Sequence, residues 1–226
     1  VASRKLDCEK TLEELLEELN GMTGLQSVKD KVQEMVDDIQ VKEYMKQQGI
    51  ETADGYGTLH LIFKGNAGTG KTTVARLIGK IYRKLGVLSK NVFIECGRKD
   101  LVATHMGQTA TKVIEKIEEA DGGILFIDEA YALVPEDGGK DFGQEAIATL
   151  LKLMEVNKDD LVVIVAGYHD EMNRFIDSNP GMKSRFTTYI DFPDYKPEEM
   201  QKIFERLLKK GDYILGEGAT DKLMQL

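Results

Sequence analysis

Residues 65–72 read Gly65-Asn66-Ala67-Gly68-Thr69-Gly70-Lys71-Thr72, and this stretch decides the fold. It matches the pattern G-x-x-x-x-G-K-[ST], a glycine-rich loop that follows a β-strand and opens a helix. The apolar run LHLIF at 59–63 precedes the loop, and a stretch of helical character at 71–85 follows it. Both neighbours that the pattern requires are therefore predicted, which makes the match informative about the fold.

The residue types in this loop suit a chain of phosphate groups. Its glycines let backbone N–H groups curl around the phosphates at the positive end of the following helix. Lys71 can reach the β and γ phosphates, and the hydroxyl of Thr72 can bind Mg²⁺. We therefore expect residues 65–72 and Thr73 to bind ATP with Mg²⁺. The alternative is a glycine-rich turn with a solvated lysine, which the flanking elements disfavour.

Five short apolar runs alternate with helical stretches from residue 59 onward. They are rich in Val, Ile and Phe and mostly continuous, as expected of strands covered on both faces. Strict alternation of strand and helix predicts an α/β fold with a doubly wound, five-stranded parallel sheet. The predicted strands are 59–63, 91–96, 123–128, 161–166 and 187–192. The predicted helices between them are 71–85, 108–120, 142–156 and 169–178.

Amphipathic helices flank this alternating region. Leucines recur at helical spacing from Leu12 to Leu19, and a second apolar stripe runs over 28–48; we interpret both stripes as core packing. Pro197, followed by two glutamates, fits the first turn of another helix. We expect an N-terminal helix in 1–20, a core domain in 21–195 and the start of a helical lid in 196–226. A second lid helix starts near Ala219, so we expect a truncated lid and a chiefly monomeric chain.

The composition excludes several classes of protein. The 226 residues are 42% hydrophobic and 31% charged, which is typical of a globular protein. A net charge of −9 disfavours nucleic-acid binding, which needs clustered Lys and Arg. Cys8 and Cys96 form no metal or disulfide pattern, which fits a cytoplasmic location. No apolar run reaches the roughly 18 to 20 residues that span a membrane, and we expect no membrane association. The missing initiator Met indicates excision from a longer protein.

Two adjacent carboxylates follow the apolar run at 124–127. Asp128 and Glu129 would lie at the carboxyl end of a strand, where ligands bind in open α/β sheets. Asp128 is placed to hold Mg²⁺ through water, while Glu129 can orient and deprotonate an attacking water. The alternative is an acidic strand end that faces solvent. Together with the loop, the pair points to phosphoryl transfer.

Phosphoryl transfer also needs a cation for the negative charge that develops in the transition state. The segment NPGMKSRF at 179–186, before the last predicted strand, offers Arg185. From spacing alone, a surface arginine paired with an acid is an equally good interpretation.

The ordered motifs resemble one family. They are the loop at 65–72, DEAY at 128–131, AGY at 166–168, the NPG…SR segment and DFPDY at 191–195. From about Leu19 to the end, they are similar to the AAA+ group of stage V sporulation protein K and red-type Rubisco activases, with relatives in type VII secretion. The resemblance implies an ATPase domain with a helical lid, hexameric rings and remodelling of a protein partner. It also implies that Arg185 is an arginine finger acting on the neighbouring subunit's ATP.

Two positions depart from the family pattern. The polar sensor, often Asn, at the end of the fourth strand is replaced by Tyr168, followed by His169; either could orient the water, or neither. The central-pore loop matches His105-Met106-Gly107 and lacks its aromatic residue, so substrate threading is in doubt. A ring of His and Met could still grip apolar polypeptide, and an exposed loop histidine is the alternative.

Two further segments carry roles by resemblance only. The polar stretch 135–141 would be a second pore-facing loop, and Met22–Leu25 resembles the segment that lines the adenine pocket. Rival functions also stay open at this point. A kinase that uses this loop would need no activated water, a binding module would use ATP only to set conformation, and a DNA loader is disfavoured by the acidic charge.

Overall fold

The computed structural model describes residues 4–5, 10–50, 56–105, 107–134 and 142–213. Its strands are β1 (Arg4–Lys5), β2 (Leu61–Gly65), β3 (Val92–Cys96), β4 (Ile124–Ile127), β5 (Val162–Gly167) and β6 (Thr188–Phe192). They form one sheet in the order β1-β3-β4-β5-β2-β6. Strands β2 to β6 pair in parallel, and β1 pairs antiparallel with β3 at the edge. The predicted five-stranded parallel sheet is confirmed, and β1 was not predicted.

The helices connect the strands and cover the sheet. They are α1 (Leu12–Asn20), α2 (Gln26–Gln47), α3 (Lys71–Lys84), α4 (Arg98–Leu101), α5 (Thr109–Ala120), α6 (Phe142–Val156), α7 (His169–Asp177), α8 (Pro180–Arg185) and α9 (Pro197–Lys210). A 3-10 turn spans Ala130–Leu133. Within the described residues, the helices predicted from the sequence are present with ends within two residues of the prediction. The short helices α4 and α8 and the 3-10 turn were not predicted.

The first helix shows how local sequence sets an element's start. The hydroxyl of Thr11 accepts a 3.2 Å hydrogen bond from the backbone N–H of Glu14, and the carboxylate of Glu14 accepts one of 2.7 Å from the Thr11 N–H. This reciprocal pair satisfies two N–H groups that helix geometry leaves free. Leu15 and Leu19 then face the core, as the leucine spacing predicted.

Alternate residues of each parallel strand enter two separate apolar clusters. On β2, Leu61 and Phe63 pack with the cluster that contains α1, α2 and α3, whereas Ile62 packs with the cluster of α5, α6 and α7. On β4, Phe126 packs with the first of these clusters and Leu125 with the second. Because successive side chains of a strand point to opposite faces, a sheet with both faces covered needs apolar residues at nearly every position. The helices occupy the faces of the sheet and leave the strand ends for a site.

Several predicted features lie outside the described residues: Met106, the polar stretch 135–141 and a lid helix near Ala219. His105 is described and is exposed on a bend. Among the helices that the structure describes, none combines the length and apolar character needed to cross a membrane.

Candidate functional site

An open cavity of about 330 Å³ lies where β2, β4 and β5 end at their carboxyl edge. Its walls are Ala67, Gly68, Gly70, Lys71, Thr72, Thr73, Asp128, Glu129, Gly167 and Tyr168. The structure thus brings Lys71, Thr72, Asp128 and Glu129 together around one space. The remaining residues of the predicted loop, Gly65, Asn66 and Thr69, do not line the cavity.

Glycine is required at specific points of this loop. Gly68 and Gly70 have φ values of 79° and 95°, in the left-handed region that other residues rarely adopt, and Gly70 starts α3. A Cβ atom at Gly65 would lie 2.6 Å from the backbone oxygen of Phe192, so β6 could not approach. The glycines allow both the curl of the loop and its close contact with the neighbouring strand.

Residues after β6 hold the loop from outside. The amide nitrogen of Asn66 donates to both carboxylate oxygens of Asp194 at 2.9 Å, and the phenol of Tyr195 donates to the carbonyl of Thr69 at 3.1 Å. The hydroxyl of the buried Thr69 donates to the carbonyl of Asn66 at 2.8 Å. Asp194 and Tyr195 belong to the DFPDY motif, but no individual role was predicted for them.

The amino group of Lys71 sits inside the curl of the loop. Its Nζ donates hydrogen bonds of 2.8 Å to the carbonyls of Gly65 and Asn66. Burial lowers the pKa of Lys71, and the negative charges of Asp128 and Glu129 oppose that shift. The positive charge of Lys71 therefore lies within the electrostatic influence of the Asp128 and Glu129 carboxylates.

The acid pair follows a fully buried strand. The Asp128 N–H donates to the carbonyl of Cys96 at 3.0 Å, and the Glu129 N–H donates to the Asp128 carboxylate at 3.0 Å. Glu129 has φ 48° and ψ 43°, a left-handed conformation that is uncommon for a residue other than glycine and recurs at functional sites. Because of this turn, Asp128 is half-buried at the strand end while Glu129 is exposed.

The two sensor candidates occupy different places. Tyr168 lines the cavity, whereas the ring of His169 faces the carboxylate of Asp191 at 3.5 Å and is not among the cavity walls. The ring of Tyr131 lies 5.9 Å from that of Tyr168. Burial raises the pKa of Tyr131 to about 12, with further contributions from the charge of Glu129 and a hydrogen bond to it. Tyr131 belongs to the DEAY motif, and no role was predicted for it.

Arg185 does not line this cavity. It opens onto a larger cleft of about 1020 Å³, here called the Arg185 cleft, whose lining includes His60, Lys84, Glu155 and Lys158. Its Nε donates to the carbonyl of Leu151 at 2.9 Å, and another guanidinium nitrogen lies 3.7 Å from the Glu155 carboxylate. The guanidinium of Arg185, which ends α8, is thus held against helix α6 and also lines the cleft.

The cavity and the Arg185 cleft lie at opposite ends of the sheet. Parallel strands β2 and β6 pair Leu61 with Thr188 and Gly65 with Phe192. Arg185 precedes the first pair, while Lys71 follows the second. A five-residue strand spans about 13 Å between its end residues. Lys71 and Arg185 of one chain are therefore not brought together.

The segment between α1 and α2 borders the loop at Gly70. The side-chain ends of Met22 and Leu25 and the phenol of Tyr195 surround the position of a Gly70 Cβ atom at 3.3 to 3.7 Å. The buried Lys29 donates to the carbonyl of Met22 at 2.7 Å and holds the segment in place. The role of Met22–Leu25 at an adenine ring stays a prediction.

A glycine-rich loop between a parallel strand and a helix, with an Asp-Glu pair at the same edge of the sheet after the next strand but one, defines the P-loop class of nucleotide-binding proteins. Residues 61–194 match the ATPase family associated with various cellular activities (AAA), and the chain belongs to this family. The predicted family is therefore confirmed.

Similar proteins place the chain more narrowly. Stage V sporulation protein K of Bacillus subtilis (strain 168) is 45% identical over 212 residues, which are 94% of this chain and 65% of that protein. The chloroplastic ribulose bisphosphate carboxylase/oxygenase activase of Cyanidioschyzon merolae (strain NIES-3377 / 10D) is 41% identical over 215 residues, 95% of this chain and 73% of that protein. The chain thus spans slightly less than two thirds of the sporulation protein.

Solved structures agree on the fold. The FIGL-1 AAA domain, solved in complex with ADP, has a TM-score of 0.60 at 16% identity and covers 97% of this chain and 68% of that chain. At this identity the likeness concerns the fold alone. The sequence matches are what fit the predicted group of stage V sporulation protein K and Rubisco activases.

Proposed function

We propose that this chain binds ATP with Mg²⁺ in the cavity and hydrolyses it within a ring to remodel a protein partner.

 This proposal rests on one observation, the convergence of Lys71, Thr72, Asp128 and Glu129 on a single cavity. Each of these side chains is of the type that phosphoryl transfer to water requires.

The residues present fit a magnesium ion. Thr72 and Asp128 both line the cavity, and a hydroxyl and a carboxylate are hard oxygen donors of the kind Mg²⁺ prefers. Among the described residues, no group of three or more His, Cys, Asp or Glu could hold a metal by itself. Thr72 and Asp128 would therefore share the ion with phosphate oxygens and water. When bound, Mg²⁺ supplies charge neutralisation for the phosphates.

Three side chains of this protein would bind the phosphates, activate the water and sense the nucleotide. Lys71, held at the centre of the loop, would exchange its two backbone carbonyl partners for β and γ phosphate oxygens. Glu129, exposed at the cavity wall, would orient a water and accept its proton. Tyr168 is the sensor candidate that we assign to the same wall, because His169 faces Asp191 instead.

Arg185 would act on the nucleotide of a second copy. It lies at the opposite end of the sheet from Lys71, and its Nε is bound to the Leu151 carbonyl, so it does not serve its own cavity. The guanidinium edge that faces the Arg185 cleft suits a phosphate brought by another chain. This placement supports the hexameric ring that the resemblance implies.

Helix α9 fits the first helix of a lid. Arg206 donates to the carbonyl of Gly21 at 2.9 Å, and the carboxylate of Glu199 lies against Gly24. Both contacts join α9 to the segment that borders the loop at Gly70. We assign residues from 196 onward to this lid. A protein partner is carried over from the resemblance, since one relative is named an activase of another enzyme. A cytoplasmic setting is proposed from the lack of a disulfide or zinc pattern in the cysteines.

Phosphate release from ATP tests the proposal. The chain should bind ATP by calorimetry and release phosphate at a rate per chain that rises with protein concentration. Glu129→Gln should keep the affinity for ATP and lower turnover about 100-fold, since general bases contribute about 10² to 10⁴ in rate. Glu198→Gln, an exposed acid on α9, is the matched control. ATP binding without any turnover would instead indicate a nucleotide-gated binding module.

A further inference from the structure

Arg98 opens the short helix α4 that follows β3, and it does not line the cavity. Its guanidinium nevertheless contacts the 3-10 turn Ala130–Leu133, which follows the acid pair. The Nη1 nitrogen donates a 2.6 Å hydrogen bond to the carbonyl of Ala132. We propose that Arg98 is a positioning residue that keeps Glu129 in the backbone conformation needed for water activation. This inference rests on the proposed hydrolysis, because Arg98 acts through Glu129.

Two consecutive hydrogen bonds connect Arg98 to the backbone of Glu129. Arg98 donates to the carbonyl of Ala132, and the N–H of Ala132 donates to the carbonyl of Glu129 at 2.9 Å. Hydrogen bonds from an ionised donor are shorter and stronger than those between neutral groups. The position of the Glu129 carbonyl therefore depends on the guanidinium of Arg98.

The backbone of Glu129 needs such support. Its φ of 48° and ψ of 43° are left-handed, a conformation that brings Cβ close to the following carbonyl oxygen. Residues in sparsely populated conformations keep them only where the surrounding structure holds them. On the side before Glu129, the N–H of Asp128 donates to the carbonyl of Cys96 at 3.0 Å. On the side after it, Arg98 holds the turn. Both supports come from the junction of β3 and α4, two residues apart.

The guanidinium of Arg98 is enclosed by helix α6. A Cβ atom at Gly143, in the first turn of α6, would overlap the carbonyl oxygen of Leu133 and lie 3.1 Å from Nη1 of Arg98. The backbone of α6 therefore lies against both the 3-10 turn and the guanidinium. Leu133 is fully buried and Arg98 is half-buried. A side chain enclosed in this way has few rotamers, so it holds the Ala132 carbonyl in one place.

A contribution of Arg98 to folding alone is the competing explanation, and two variants separate the alternatives. Arg98→Lys keeps a charged donor, whereas Arg98→Met keeps an unbranched side chain without a donor. We expect kcat for ATP to fall about 10-fold in Arg98→Met with KM within about twofold, because a small displacement of a reacting group lowers the rate without removing contacts to the nucleotide. Arg98→Lys should keep kcat within about threefold of wild type, since one donor suffices for one carbonyl.

Lys99→Ala, at an exposed lysine of the same short helix, is the matched control and should alter neither constant. An unchanged kcat in Arg98→Met would overturn the inference. Equal losses of kcat in Arg98→Met and Arg98→Lys would also overturn it, because the donor would then have no effect.

Hydrogen exchange provides a measurement that does not need hydrolysis. The N–H groups of Ala132 and Val134 donate to the carbonyls of Glu129 and Tyr131, so their exchange reports on the 3-10 turn. We expect these amides to exchange about 10-fold faster in Arg98→Met than in wild type, while the amides of β5 keep their protection. Unchanged exchange in the turn, or equal acceleration in β5, would overturn the inference even if ATP is hydrolysed. Absence of hydrolysis in the wild-type chain would instead contradict the proposed function, and the exchange rates would still decide whether Arg98 holds the turn.

Discussion

The cavity at the glycine-rich loop and the Arg185 cleft are built in different ways. The cavity takes most of its walls from two short stretches of sequence, 67–73 and 128–129. The cleft has about three times the volume and draws on five separated regions, among them 56–60, 84–87 and 154–159. A small ligand can be held by one loop whose backbone groups converge on it. The cleft presents side chains of both signs over a wide area, which suits contact with another chain.

Removal of Arg185 tests this comparison with the largest expected effect. Arg185→Ala should lower ATP turnover at least about 10³-fold and leave the affinity for ATP nearly unchanged, since arginine fingers contribute about 10³ to 10⁵ in rate. Steady-state phosphate release and calorimetry measure the two quantities. Arg174→Ala, an exposed arginine on α7, is the control.

Mixing experiments show in which chain Arg185 acts. Arg185→Ala and Lys71→Ala chains should each be nearly inactive alone, but a mixture should recover part of the activity, because Lys71→Ala supplies the arginine and Arg185→Ala the intact cavity. Turnover that depends on Arg185 and is independent of protein concentration in a monomer would place the arginine in its own site.

Two lysines of one helix, Lys71 and Lys84, allow the cavity and the Arg185 cleft to be compared by the same substitution. Both belong to α3, which begins in the cavity and ends about 20 Å away in the Arg185 cleft. Lys71→Ala should weaken ATP binding about 10³-fold, since two hydrogen bonds to charged phosphates are lost. Lys84→Ala should leave ATP affinity unchanged. Calorimetric titration measures the affinity of both variants for ATP. Equal affinities in Lys71→Ala and Lys84→Ala would contradict the assignment of ATP to the cavity rather than to the cleft.

The free energy of unfolding should depend on pH through His60, which lines the Arg185 cleft. His60 is buried and accepts a hydrogen bond from the Val163 N–H; burial and the charge of Arg185 lower the pKa of His60 to about 4. Since the unfolded value is near 6.5, the stability from neutral His60 is fully present above pH 6.5. It is lost as pH falls toward 4, by about 3 kcal/mol in all.

Urea unfolding at pH 7 and pH 4.5 measures this effect. His60→Gln should lose less stability than the wild-type chain between the two values, because the titrating group is gone. His169→Gln, which removes an exposed histidine, should keep the wild-type difference. Equal losses in all three proteins would show that His60 does not titrate in this range.

The smallest effect concerns the support of the loop. Tyr195→Phe removes the 3.1 Å hydrogen bond to the carbonyl of Thr69. We expect about 1 kcal/mol less stabilisation of the loop and therefore about fivefold weaker ATP binding. Tyr189→Phe on β6 is the control. Unchanged ATP affinity in Tyr195→Phe would show that the loop keeps its shape without this bond.

The sequence predicted the parts of the molecule that local patterns determine. Parallel strands such as β4 are apolar at every position because both faces are covered, and loop 65–72 is one continuous motif. Strand β2 was predicted at 59–63 but spans Leu61–Gly65. The prediction missed its end because Lys64 and Gly65 are not apolar, although both pair with β6.

Other features depend on distant residues and leave little local signal. Helix α8 has six residues and is fixed by the Asn179 cap and its packing. Tyr195 contacts the loop across 126 positions of sequence. The ring of Tyr131 occupies space that a side chain at Gly167 would fill. The pairing of Arg185 with Leu151 was equally invisible. Motif spacing names these residues but does not show which atoms they touch.

The opposite placement of the cavity and the Arg185 cleft constrains the symmetry of any assembly. A twofold dimer joins the same patch on both chains, so one patch would have to contain both sites. Because the sites lie at opposite ends of the sheet, a contact between them joins unlike surfaces, head to tail. In a row of copies joined head to tail, the chain at one end has a cavity that faces no arginine, and the chain at the other end has an Arg185 that faces no cavity. Both sites are matched only when the last copy contacts the first. If Arg185 acts on a neighbour's ATP as proposed, only a closed ring would provide every cavity with an arginine, and an open stack would leave one cavity without one.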